Sequence, residues 1–238
     1  MMSKYKSLLF RELLISRKHN IIVLVLVLLY VALIFLAINM TGEQDDSQSV
    51  IMMQCIILAT ITSVVAAEDN EVVKSDIKTK WRSYSYALPI TALEKTVSRF
   101  IIRVGMISIG AVICFVCTAV VDKLCSVSVL GSVITIYFIS VALMMLYDAL
   151  YSGFILRARN EKQYKRYAAI GTVIIFVVAK FISNSEFNFD VDDNNLPDIL
   201  NYIIHISESL SLWAVPAIIA ALAVNFVVTI KSYERREN

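Results

Sequence analysis

The feature that most limits what this chain can become is a set of long apolar runs, each close to the length needed to cross a lipid bilayer. Residues 21–38 (IIVLVLVLLYVALIFLAI) carry no charge, and a helix of about 20 such residues spans the roughly 30 Å of a hydrocarbon core. With the first span taken as 21–39, further runs at 50–67, 100–121, 127–156, 168–183 and 211–230 predict six transmembrane helices in an all-α, polytopic membrane protein. A soluble core of 238 residues could not absorb a chain that is 58% hydrophobic and 18% charged. The first run is too long to be a removable signal peptide and lacks a small-residue cleavage site. Glycine and proline number only 6 and 3, so no linker divides the chain and one membrane domain over 1–238 is expected.

The net charge of +2 gives no reason to expect a nucleic-acid partner. The distribution of charge is more informative. All lysines and arginines except Lys123 and Lys180 fall in the N-terminus, 68–103, 157–167 and 231–238, four segments that six crossings put on one side. The other side receives Glu43, Asp45, Asp46, Asp122, Glu186, Asp190, Asp192, Asp193, Asp198 and Glu208. Because basic residues are retained next to the cytoplasmic ends of membrane helices, both termini are expected in the cytoplasm. Cys55, Cys114 and Cys117 lie inside apolar runs and Cys125 in an outer loop, so no disulfide framework follows. Cys114 and Cys117 form a C-x-x-C without a second pair or a helpful histidine, and read as packing rather than a metal site.

Four segments could carry mechanism. Residues 3–19 fit a helix with Lys4, Ser7, Arg11 and Lys18 on a polar stripe and Leu9, Phe10 and Leu13 elsewhere. The choice there is between a helix lying in the membrane interface, with Lys6, Glu12 and Arg17 snorkelling, and a basic flank that merely orients the first span. In 68–99, Val73, Ile77, Trp81, Tyr84 and Leu88 recur every three or four residues beside a line of Lys74, Lys78 and Arg82, with Asp76 in the same stretch. That pattern predicts an amphipathic cytoplasmic helix, either a handle for an outside protein or a solvated connection. Pro89 ends it, and Thr91-Ala92-Leu93-Glu94 has the form of a capping box, so Thr91 and Glu94 should start a new helix. In the outer segment 184–210, Asp190, Asp192 and Asn194 imitate a calcium loop, but Asn195 and Asn201 stand where glycine and glutamate are needed. Pro197 suits the first turn of an apolar extracellular helix that could gate the exit. Asp148, between Tyr147 and Tyr151 in the fourth span, is an ionisable residue inside the membrane, a candidate for lining a translocation path or for pairing with a neighbouring helix. Lys180 is expected to snorkel to the headgroups, and His205, with only His19 for company, cannot build a histidine metal site.

The string Tyr86-Ala87-Leu88-Pro89-Ile90-Thr91, followed by Glu94-Lys95 and Ser98-Arg99, is similar to the L-P-I-[ST] stretch of small bacterial ABC-2 type permeases. The order of parts resembles that family over the whole chain: an interfacial N-terminal helix, six spans, a cytoplasmic coupling helix between the second and third, and an extracellular helical segment between the fifth and sixth. Among these permeases the chain looks most like those of Gram-positive transporters that export amphipathic or antimicrobial peptides or confer immunity to them, phenol-soluble modulin exporters included. The resemblance implies a bacterial plasma-membrane subunit that pairs with a second permease chain, identical or related, amid membrane lipids. It also implies separate ABC ATPase subunits that bind ATP and magnesium and push on a coupling helix at about 72–85, through Val73, Lys74, Ile77, Lys78, Trp81, Arg82 and Tyr84. No glycine of this chain begins a G-x-x-x-x-G-K-[ST], so it holds no P-loop of its own, and neither a catalytic residue nor a bound cofactor is expected on it.

Two rivals stand beside that expectation. A membrane-embedded enzyme would need H-E-x-x-H, or a G-x-G-D partner for Tyr147-Asp148, and neither string occurs. An ion-coupled carrier or channel would use Asp148 as its coupling carboxylate, but no inverted repeat or Gly/Pro-broken helix pair accompanies it.

Overall fold

A computed structural model describes residues 2–41, 46–67, 75–76, 78–79, 90–125, 130–155, 162–167, 169–171, 173 and 196–237. Its long elements are five helices: α1 (Met2–Thr41), α2 (Asp46–Ala67), α3 (Ala92–Cys125), α4 (Leu130–Ile155) and α5 (Leu196–Glu237). There is no strand among the described residues. Three helical stretches among them, Ala92–Leu124, Leu130–Leu150 and Tyr202–Glu234, are long and apolar enough to cross a membrane.

Helix α1 departs from expectation. Nothing between Met2 and Thr41 is a glycine or proline, so no residue interrupts the backbone ladder, and the segment expected to lie in the interface runs without a break into the first apolar run. Its inward face near the start is Leu8 and Glu12, both buried, while Phe10, Leu13 and Leu14 are exposed. Glu12 therefore does not snorkel outward. The expected outer helix is likewise no separate element: α5 begins at Leu196 and continues through Pro216 to Glu237, joining the second half of 184–210 to the sixth run. Neighbouring helices can satisfy the carbonyl that Pro216 leaves free, which is why membrane helices tolerate such a residue.

The bundle is arranged around α4, which packs along α5 and α2 and against α3. Val133, Tyr137, Val141, Met145 and Ala149, one helical turn apart, form its fully buried stripe. Tyr137 donates its hydroxyl to the carbonyl of Ile107 on α3 at 2.7 Å and meets the Phe138 ring edge-on. The facing stripe of α3 is equally regular: Ala92, Thr96, Arg99, Arg103, Ile107, Cys114 and Val121 are buried. Leu130, the first residue of α4, donates its N–H to Asp122 Oδ2 near the end of α3 at 3.1 Å.

Polarity is distributed as in a lipid-facing bundle. The outward side chains are large and apolar, among them Val112, Leu143, Leu150, Trp213 and Leu212, the last 85% exposed. The inward ones include Thr62, Ser63, Thr118 and Asn225. Thr62 and Ser63 return their hydroxyls to carbonyls of their own helix at Leu58 and Thr60, at 2.7 and 2.8 Å, a local solution available where no water is present. Replacing Tyr137 by phenylalanine should cost about 0.5–1.5 kcal/mol, the usual worth of one interhelical hydrogen bond in a membrane bundle. SDS-titrated unfolding of the purified protein measures that cost, and an unchanged midpoint would show that the bond contributes nothing.

Candidate functional site

The charged site is built from the start of α3. Thr91 and Glu94 cap that helix reciprocally: the Thr91 N–H donates to Glu94 Oε2 at 2.9 Å and the Glu94 N–H to Thr91 Oγ1 at 3.2 Å. The Lys95 N–H then donates to the Thr91 carbonyl at 3.2 Å. Such a cap fixes where the helix begins, and hence its rotational phase. Arg99 and Arg103, one turn apart, consequently share the buried face with Thr96.

Arg99 lies at the meeting point of four segments. Its Nε stands 3.7 Å from Glu12 Oε2 on α1, its Nη2 3.4 Å from Asp76 Oδ2, and its guanidinium lies over the Tyr233 ring of α5 with 5.7 Å to the centroid. Arg11 completes the group. One of its guanidinium nitrogens is 3.4 Å from Glu12 and the other donates to the remaining oxygen of Asp76. Glu12, Asp76 and Arg99 each keep only 7% of their side-chain surface exposed. Asp76 sits in a helical turn in which the Thr79 N–H and hydroxyl donate to the Ser75 carbonyl at 2.9 and 2.8 Å.

One turn further along α3, Arg103 donates to Asp148 Oδ2 of α4 at 2.7 Å and to Asn225 Oδ1 of α5 at 3.0 Å. Asn225 closes the triangle through its amide nitrogen, which donates to Asp148 Oδ2 at 2.9 Å and to the Met145 carbonyl at 3.0 Å. Asn225 has no exposed surface. Among the described residues, the first cluster brings Arg11 and Arg99 to Glu12 and Asp76, and the second brings Arg103 to Asp148. Burying unpaired charge in such surroundings costs several kcal/mol per ion, and pairing with near-complete hydrogen bonding offsets that cost. Neither cluster pairs a nucleophile with a general base, and no metal-ligating group of three or more side chains occurs among the described residues. The arrangement joins α1, α3, α4 and α5 to one another and to the turn at Asp76.

Of the residues singled out by sequence, Asp148 is drawn to Arg103 and Asn225, and the Tyr147 side chain beside it is half-buried. Tyr151 continues the same helix one turn on. Lys78 is exposed, in the turn that holds Asp76. Val73, Lys74, Ile77, Trp81, Arg82 and Tyr84 lie outside the described residues, as do Lys180, Asp190, Asp192 and Asn194. His205 is exposed, Cys55 and Cys114 are buried, and the Cys114 and Cys117 thiols are not in a disulfide.

Sequence reasoning missed Asn225, Tyr233 and the pairings of Glu12, Asp76, Arg99 and Arg103. Two signals were present. Arg103 falls within the run 100–121, and Asn225 is the one amide within 211–230. Either is a polar residue in an apolar helix that demands a partner.

A family model described as ABC-2 family transporter protein matches residues 7–234. No curated protein and no solved structure matches the chain.

Truncating Arg103 to alanine strands Asp148 in the bundle and should lower stability by roughly 3–5 kcal/mol, whereas replacing both charges in R103M/D148L should recover most of that loss. Thermal unfolding in detergent separates the cases. A double variant as unstable as R103A would mean that the ion pair is not what the site depends on.

Proposed function

The chain belongs to the ABC-2 family of transporter proteins, and from that premise we propose that it is the permease subunit of an ATP-driven exporter. The substrate is an amphipathic or antimicrobial peptide, or a similar hydrophobic molecule, moved out of the cytoplasm or the membrane. Membership of the family implies association with ABC ATPase subunits. Here those bind ATP and magnesium and dock beneath a coupling helix at about 72–85, while a second permease chain, identical or related, completes the transporter in a bacterial plasma membrane. The peptide class rests on the likeness of residues 86–99 to permeases of peptide export and immunity.

The observation that carries this reading is the attachment of Asp76. The Asp76 carboxylate is buried between Arg11 of α1 and Arg99 of α3, which ties this segment to the membrane bundle. A lever has to be fastened to what it moves.

Helix direction supports six crossings within one domain. The start of α1, the start of α3 and the end of α5 meet at the Arg99 cluster. Asp148, late in α4, lies beside Asn225, late in α5. Helices α4 and α5 therefore leave the far end and arrive at the charged end in the same sense. At about 1.5 Å per residue, Leu196 lies roughly 40 Å along the helix axis from Asn225. We assign the return between Ile155 and Leu196 to the fifth span expected at 168–183. With basic residues concentrated at the charged end, both termini belong to the cytoplasm.

The carrier alternative places a different demand on the same site. A carboxylate that couples ions must exchange partners during transport, and Asp148 is already held by Arg103 at 2.7 Å and Asn225 at 2.9 Å.

Purification from cells that also express the ATPase should bring that subunit down with the permease. In proteoliposomes, Trp81→Ala or Ile77→Asp should lower export of a fluorescent amphipathic peptide per ATP hydrolysed on the order of tenfold, an ordinary coupling energy. Export that proceeds with no ATPase present would overturn the proposal, as would labelling of a cysteine at position 81 from the external face.

A further inference from the structure

The two charged clusters are one seam, and its course is informative. Among the described residues of 75–79, Asp76 alone is buried; Lys78 and Thr79 are exposed. Among these described residues it is the Asp76 carboxylate, paired with Arg11 and Arg99, that meets the bundle. From Asp76 the contacts pass to Arg99, then one turn along α3 to Arg103, and from there to Asp148 on α4 and Asn225 on α5. The same short stretch of α3 touches α5 twice more, through Arg99 over Tyr233 and through Phe100, whose ring meets Phe226 edge-on at 5.1 Å between centroids.

Resting on the permease assignment above, we infer that Asp76, Arg99 and Arg103 are positioning residues: Asp76 is where a stroke on the cytoplasmic turn enters the membrane bundle, and the two arginines pass it to α4 and α5. Two physical features carry this. A guanidinium–carboxylate contact is directional, so a displaced Asp76 pulls its partners along a defined line. Separating a buried pair is costly, so the pair moves as a unit before it breaks. Arg11, holding the other oxygen of Asp76, ties the same turn to α1, which makes α1 the fulcrum and α3 the driven arm.

The test uses the full-length permease with its ATPase in lipid nanodiscs, carrying Cys125→Ser and a single reporter, Ser209→Cys, on the exposed far half of α5. The readout is how fast a membrane-impermeant maleimide labels that cysteine with and without ATP and magnesium. The wild-type seam should show an ATP-dependent change in rate. Asp76→Asn should shrink the change about tenfold, a size typical of coupling between sites, while the ATPase still copurifies and the complex elutes as before. Arg99→Gln should do the same. The double variant D76N/R99Q should be no worse than either single one, because residues acting through one link are non-additive, and Asp76→Glu should restore the response. A full ATP response in Asp76→Asn overturns the inference and leaves the permease assignment standing, as do losses that add in the double variant in step with melting temperature, which would make the seam a static brace. A wild-type reporter indifferent to ATP while hydrolysis proceeds removes the permease assignment and the inference together.

Discussion

Two guanidinium groups on one face of α3 set the terms for the rest of the bundle. An arginine held among membrane helices must find a carboxylate or a dense set of acceptors. Arg99 and Arg103 draw theirs from four different segments: Glu12 on α1, Asp76 before α3, Asp148 on α4 and Asn225 on α5. Each pairing fixes the rotation of one element about its own axis. The reciprocal cap of Thr91 and Glu94 does the same for α3, since shifting the start of that helix by one residue would turn both arginines by about 100°. A local hydrogen-bond pattern at the helix start thereby decides which helices can meet.

Apolar packing could not make those choices alone. The outward faces of α3, α4 and α5 are as apolar as much of the interior, with Val112, Leu143 and Ile219 each about three-fifths exposed. In lipid, exchanging one such face for another gains little, so the inward face has to be marked by groups that lipid cannot satisfy. Thr62 and Ser63 of α2 and Thr118 of α3 are buried, and the Tyr137 hydroxyl reaches Ile107 across the α3–α4 interface. Asn225 marks α5 most sharply, because its carbonyl and amide both find partners on other helices.

This difference in marking explains what the amino-acid sequence could and could not say. Apolar run length gave the helical class and approximate ends for α2, α3 and α4, since length and hydropathy are one-dimensional properties. The start of α3 was legible because a capping box is contained in four successive residues. Asp148 stood out because a carboxylate in an apolar run is conspicuous whatever its partner. The pairings were not legible, because they depend on rotational phase and α4 is apolar on every side over most of its length. Charge counted by side of the membrane also hides them, because Arg99 and Arg103 belong to the basic segment 68–103 and Glu12 interrupts the apolar sector of 3–19. The continuity of α1 and α5 was obscured by a change of composition within each. Composition reports surroundings, whereas the backbone continues until a residue breaks it, and 2–41 contains no such residue.

Burying a chain of ion pairs is an expensive way to hold helices together, since well-packed apolar residues of similar volume are often as stabilising. What charge supplies in exchange is a unique register. If α3 slid one turn along α5, apolar contacts would be replaced by other apolar contacts at little cost. A slide away from the charged end would move Arg103 from Asn225 and Asp148 toward a level that, on α5, presents Ala221 and Leu222, neither of which can accept a hydrogen bond through its side chain. The seam thus admits a small displacement of the whole chain of pairs and resists slippage of any one pair against another. A part that receives force at Asp76 and must deliver it to two helices needs that combination, and apolar packing in lipid lacks it.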